Sequence, residues 1–146
     1  MRGNIKKSVV DIVSRKQIKE VHKLGYGNFF FLEGVIVAEV NEGITYDWPK
    51  GKNIIDLALN YYGSCSSVHY ISNRINDYSV RPQDWTKFNT YQKHLKTYSI
   101  VTYGKSGFTN LIFERMFFPY QIHHFYNLEM ALEFVDEYDN TSFQIG

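Results

Sequence analysis

The chain has 146 residues, a formal net charge of +1, a hydrophobic fraction of 44%, an aromatic fraction of 17% and one cysteine. That length suits a single domain burying roughly 68–70% of its unfolded surface, and the apolar content excludes the low-hydrophobicity, high-charge regime of disorder. A near-zero charge supplies no global field for nucleic acid, anionic membrane or acidic substrate, and the lone Cys65 excludes internal disulfides and multi-cysteine zinc sites.

Residues 1–16 read as an N-terminal extension. Its opening, Met1-Arg2-Gly3-Asn4-Ile5-Lys6-Lys7, is basic but is not followed by an apolar stretch of signal-peptide length. Nowhere do ~18 apolar residues run together, so a soluble, cytoplasmic protein with no membrane segment is expected. The domain proper spans 17–138. Residues 17–41 read as a strand meander: a loose period of two through Ile18, Glu20, His22 and Leu24, then turn residues at Gly25-Tyr26-Gly27-Asn28. The apolar runs Phe29–Leu32 and Val35–Val40 are separated only by Glu33-Gly34, which predicts a tight hairpin. Runs so continuous predict strands covered on both faces.

Asp47 offers an N-cap and Pro49 a first-turn residue for a helix over 48–62, with Ile54, Leu57, Ala58 and Tyr61 at helical spacing and Gly63 as its stop. Cys65–Ile71 predicts the next strand, with Cys65 as small buried filler at its start. Ser72–Ser79 then reads as a loop dense in hydrogen-bonding groups. Arg81–Lys93 suggests a second helix, and Leu95–Tyr103 a strand broken by Gly104-Lys105-Ser106-Gly107. Phe108, Leu111, Ile112 and Arg115 predict a third helix ending before Pro119. Gln121–Tyr126 predicts a short strand, and Asn127 caps a last helix through Leu128, Ala131, Leu132 and Val135. Residues 139–146 read as a tail, in which Asn140-Thr141-Ser142 is a chance sequon. The order βββαβαβαβα from residue 17 predicts an α/β domain with a mixed sheet, an antiparallel meander followed by βα repeats with largely parallel strands.

In open α/β sheets ligands sit beyond the carboxyl ends of parallel strands. Two loops qualify, and together they nominate Ser72, Asn73, Arg74, Asn76, Tyr78, Lys105 and Ser106. Arg74 and Lys105 favour an anionic group, and a Gly-Lys-Ser-Gly turn opening a helix aims backbone N–H groups outward. The competing reading has Asn73 and Asn76 bonding their own turn and Arg74 in solvent. Other motifs fall away. Gly104-Lys105-Ser106 lacks the earlier glycine of a P-loop, since that position is Ser99, and Gly25-Tyr26-Gly27 meets Phe30 where a dinucleotide fingerprint needs its third glycine. His123 and His124 point to opposite faces of a strand. With no Gly-x-Ser-x-Gly and no metal-ligand spacing, no catalytic residue, metal or cofactor is expected. Glu39 and Glu42 read as solvated or capping carboxylates in preference to general acid–base groups.

The order of elements, with Glu39-Val40-Asn41-Glu42-Gly43 before the first helix, Tyr70-Ile71-Ser72-Asn73-Arg74 ending a strand, and Phe125-Tyr126-Asn127-Leu128-Glu129-Met130-Ala131-Leu132-Glu133-Phe134, resembles the superfamily of anti-sigma-factor antagonists and the cytoplasmic domains of sulphate transporters (STAS). Within it the likeness is to the small bacterial SpoIIAA-like proteins, over residues 17–138. The resemblance implies that fold and a regulatory role. It also implies a loop in which antagonists carry Asp-Ser-x-Gly, with a serine phosphorylated by a partner kinase. Here the matching stretch is Ser72-Asn73-Arg74-Ile75, without the aspartate or the glycine, so a phosphoswitch is not implied and Arg74 suggests anion binding instead. The expected function is a non-enzymatic regulatory or protein-interaction module meeting a protein partner through residues 72–79. The alternative is a small-molecule-binding protein for an anionic or amphipathic ligand at the carboxyl ends of the parallel strands. The aromatic surplus leaves a homodimer open.

Overall fold

The structure, a computed structural model, describes residues 5–92, 94–117 and 121–145. β1 (Ile18–Leu24), β2 (Gly27–Leu32) and β3 (Val35–Val40) form the antiparallel meander. Gly34 closes the β2–β3 hairpin at φ +70°, a backbone conformation that strains any residue with a Cβ. The edge strand β1 alternates half-buried with exposed positions, whereas every residue of β3 is buried, as a continuous apolar strand covered on both faces should be.

A two-residue strand, β4 (Thr45–Tyr46), leads into α1 (Trp48–Tyr62). Asp47 accepts from the Lys50 N–H at 3.2 Å, Pro49 sits in the first turn and Gly63 ends the helix at φ +82°. There follow β5 (His69–Arg74), β6 (Ser79–Val80), a 3-10 turn at Pro82–Asp84, α2 (Trp85–Gln92), β7 (Thr97–Thr102), α3 (Lys105–Phe117), β8 (His123–Phe125) and α4 (Leu128–Ile145). The main sheet has the order β1-β2-β3-β5-β7-β8, in which β3, β5, β7 and β8 are parallel neighbours. The α/β architecture with its antiparallel front and parallel βα units is therefore the one the sequence predicts. The small parallel ribbon β4-β6 is an addition; two-residue strands are too short to leave a periodicity.

Several boundaries differ from expectation, and one moves the candidate site. The strand after α1 does not stop at Ile71: β5 starts later and runs through Ser72, Asn73 and Arg74, because Asn73 and Arg74 stay in register with Val101 and Thr102 of β7. Three of the nominated loop residues are thus strand residues. Cys65 precedes β5 in a turn and is only partly buried. Gly104–Gly107 is not a free turn, since α3 begins at Lys105. The helix expected from Arg81 starts at Trp85, and Lys93 lies outside the described residues. α4 continues through Ile145, taking in most of the stretch read as a tail.

The pleat divides the sheet into two cores. One face carries the cross-strand row Phe31, Ile36, Tyr70 and Tyr98, followed by Ala38, Ser72 and Ile100, and is covered by Ile54 and Ala58 of α1, Phe88 of α2 and Leu111 of α3. The other carries Phe30, Val37, Ile71 and Val101 beneath Leu128, Ala131 and Val135 of α4. The N-terminal segment completes this second core: Ile12 and Val13 pack on it and Val9 is fully buried, a burial worth about 1.5–3 kcal/mol.

Candidate functional site

The carboxyl end of β5 sends alternate side chains to opposite faces. Ser72 and Arg74 point toward the helix layer of α1–α3. Arg74 is 6% exposed and Glu114, from α3, only 2%. The Arg74 Nη2 donates to Glu114 Oε2 at 2.8 Å, and Nη1 lies against Oε1. Arg74 Nε donates to Ser72 Oγ at 3.1 Å, and that hydroxyl bonds the Tyr78 hydroxyl at 2.9 Å, while the Tyr78 ring stands 5.1 Å from the guanidinium carbon. Burial works against the Arg74 charge, but the Glu114 carboxylate raises its pKa well above the ordinary value. The result is a buried, internally neutralised ion pair.

Around this pair stand tyrosines from three strands and a connection: Tyr46 (β4), Tyr70 (β5), Tyr78 (before β6) and Tyr98 (β7). Burial, reinforced by the neighbouring phenols and for Tyr98 by Glu114, pushes the pKa values of Tyr46, Tyr70 and Tyr98 up, so these remain protonated phenols. Tyr46 and Tyr70 stand close enough for each phenol to influence the other's pKa. Together with Ser72, Arg74, Val80 and Phe88 the four enclose a cavity of about 30 Å³. Tyr46, Tyr70 and Phe88 also form the wall of a second, apolar cavity of about 70 Å³, floored by Ile36 and lined by Ile54, Ala58 and Leu95, and partly open to solvent. Phe88 stacks on Tyr46 with ring centroids 5.7 Å apart at 20°. It is seated there by Gly51, where a Cβ would fall 2.2 Å from Phe88 Cε1. Cys65 lines the apolar cavity, its thiol pKa raised by burial.

Asn73 points the other way. Its Nδ2 donates to Glu39 Oε2 at 2.9 Å and to the Lys7 carbonyl at 2.8 Å, and its Oδ1 accepts from the Tyr103 hydroxyl at 2.7 Å. Glu39, expected at a solvated edge, is 5% exposed, and it accepts from Ser8 Oγ at 2.7 Å and from the Val9 N–H at 2.8 Å. A buried carboxylate needs such partners; here the N-terminal segment supplies them. Burial pushes the Tyr103 hydroxyl up to about 12. Asn76 donates to the Val40 carbonyl at 3.2 Å, fixing its own connection. Lys105 is exposed at the start of α3 and lines neither cavity, so the structure does not join it to Arg74. The Ser106 side chain lies outside the described residues.

A second buried polar group lies under α4. His69, fully buried, is 2.8 Å from Asp139 Oδ1 through Nε2 and 2.6 Å from Thr97 Oγ1 through Nδ1. An ionised carboxylate only accepts, so Nε2 carries the proton and Nδ1 accepts from the Thr97 hydroxyl. Burial holds the His69 pKa down, with Asp139 opposing. Thr97 is 7% exposed, so this hydroxyl–imidazole–carboxylate chain satisfies the buried Thr97 and His69 atoms, while its Asp139 end is partly exposed and also bonds Lys96.

The sequence reading found Ser72, Arg74 and Tyr78 but missed Glu114, Tyr46, Tyr70, Tyr98 and Phe88. Glu114 did leave a trace, three residues after Leu111 on the apolar stripe of α3, where a carboxylate implies a buried partner. The tyrosines left none, because Tyr70 meets Tyr98 only through strand register. Among the described residues no three His, Cys, Asp or Glu side chains are placed to hold a metal ion, and no helix is long and apolar enough to cross a membrane. Compared with protein-family models, with curated proteins and with solved structures, the chain matches none of them.

Proposed function

We propose that this protein is a small-molecule-binding module whose ligand is amphipathic, its apolar body in the larger cavity and its polar end against the tyrosines at Arg74. The observation that carries this reading is that Tyr46, Tyr70 and Phe88 line both an apolar cavity and the neighbouring polar one, which Arg74 also lines. Ligand sites are concave, mostly apolar and fixed by a few convergent polar groups, and here an apolar cavity adjoins one lined by Ser72, Arg74 and the tyrosines. The resemblance to SpoIIAA-like proteins is part of the proposal, supported by the meander and the parallel βα units behind it. The protein-partner reading is weaker on this geometry: the Asn73 and Arg74 side chains are buried, leaving exposed Asp77 and Ser79 as the outward part of the stretch.

A thermal-shift screen of small amphipathic molecules tests the proposal. A ligand at ~100 times its Kd adds about 2.7 kcal/mol of apparent stability. Ala58→Leu, which adds three carbons to a side chain lining the larger cavity, is expected to abolish the shift. No shift with any compound, or equal shifts in wild type and Ala58→Leu, would count against a ligand in this cavity.

A further inference from the structure

Resting on the ligand reading above, we propose that the site selects uncharged ligands: a small ring or short alkyl body bearing a hydroxyl or carbonyl, with carboxylates and amines rejected. The inference comes from how the charges at the polar end are already used. Arg74 faces Glu114 with both terminal nitrogens and spends Nε on Ser72. A guanidinium has five N–H donors, so donors remain for a neutral oxygen even though the charge is matched. The Tyr78 ring packs on the guanidinium and its hydroxyl is held by Ser72, which narrows the approach to Arg74.

An entering carboxylate would find Arg74 compensated and Glu114 beside it, so the desolvated site would change from neutral to one net negative charge. An ammonium would bring one net positive charge into the same neutral, desolvated site, beside the Arg74 guanidinium that Glu114 already pairs. Burying an unpaired charge costs far more than burying a hydrogen-bonded neutral group. The phenols contribute donors and acceptors but no charge. A hydroxyl or carbonyl can accept from Arg74 or a phenol, and its body then lies against Ile36, Ile54 and Leu95. The anion that Arg74 suggests in the sequence is supplied by the protein itself, as Glu114.

The test compares benzyl alcohol and acetophenone with benzoate and benzylammonium at pH 7, by calorimetric titration of the full chain. The neutral pair should bind at least about tenfold more tightly than either ion. Glu114→Gln, which keeps the shape and leaves Arg74 unmatched, should reverse the order so that benzoate becomes the tightest of the four. Benzoate or benzylammonium binding wild type as tightly as benzyl alcohol overturns the neutral-ligand inference and leaves the binding reading standing. Binding by none of the four to wild type overturns both. If Glu114→Gln does not fold, the wild-type order alone decides.

Discussion

Arg74 is the residue whose role changed most. As a surface cation it would be nearly free to mutate; as half of a buried pair it is not. Leaving one member of such a pair unmatched costs about 3–5 kcal/mol, whereas replacing both by apolar groups of similar volume is often near neutral. Glu114→Gln should therefore lose roughly that much unfolding free energy in urea, and Arg74→Met with Glu114→Leu should recover most of it. A double variant as unstable as the sum of its singles would show that the two do not act as a pair. His69 makes a second prediction. Its folded pKa lies below its unfolded value of about 6.5, so the unfolded chain takes up the proton first, and stability present above pH ~6.5 is lost as pH falls toward the folded pKa. His123 and His124 are also held down by burial and add to the same window. Asp139, whose pKa is lowered by its bonds from His69 and Lys96 against the opposing effect of burial, titrates below it. Unfolding free energy should drop between about pH 7 and pH 5, and the slope should shrink in His69→Gln. An unchanged slope in that variant would remove His69 from the account.

At the scale of elements, Gly51 shows how packing overrides propensity. Alanine within a helix normally gains up to ~1 kcal/mol over glycine, yet at Gly51, in the first turn of α1, the added Cβ would overlap the Phe88 ring. Gly51→Ala should destabilise by about 1–3 kcal/mol, as overpacked sites do, and should weaken ligand binding because the Phe88 ring it displaces lines both cavities. A stabilised variant with unaltered binding would mean that Phe88 is not wedged there. The capped helix α1 and the hairpin at Gly34 were legible because Asp47, Pro49, Gly63 and Glu33-Gly34 act within a few residues. The end of β5 was not, since Ser72-Asn73-Arg74 are polar enough to read as loop. Their strand character depends on β7 alongside and on hydrogen-bond partners drawn from residues 7, 39, 78, 103 and 114. The tyrosine ring was invisible for the same reason, assembled as it is from three strands and a connection.

At the scale of the whole molecule, β5 joins two buried polar systems at the carboxyl ends of the parallel strands. Arg74 serves the cavity face, while Asn73 and Glu39 hold the N-terminal segment on the other. The extension is thereby part of the fold: removing residues 1–13 takes Val9 out of the core and leaves Glu39 with one partner, and should cost at least about 3 kcal/mol. A truncated chain with the full-length melting temperature would contradict this. Fold class was readable from alternation alone, since strands and helices of this order admit few topologies; the ligand end was readable by rule, but its chemistry was not, because Glu114 enters from 40 residues away. The central claim is that the paired cavities hold a small amphipathic molecule, and the direct measurement is calorimetric titration of benzyl alcohol into wild type and Ala58→Leu. Saturable binding to the wild type that disappears in Ala58→Leu is the predicted result; no saturable binding, or binding that survives the filled cavity unchanged, would contradict the claim.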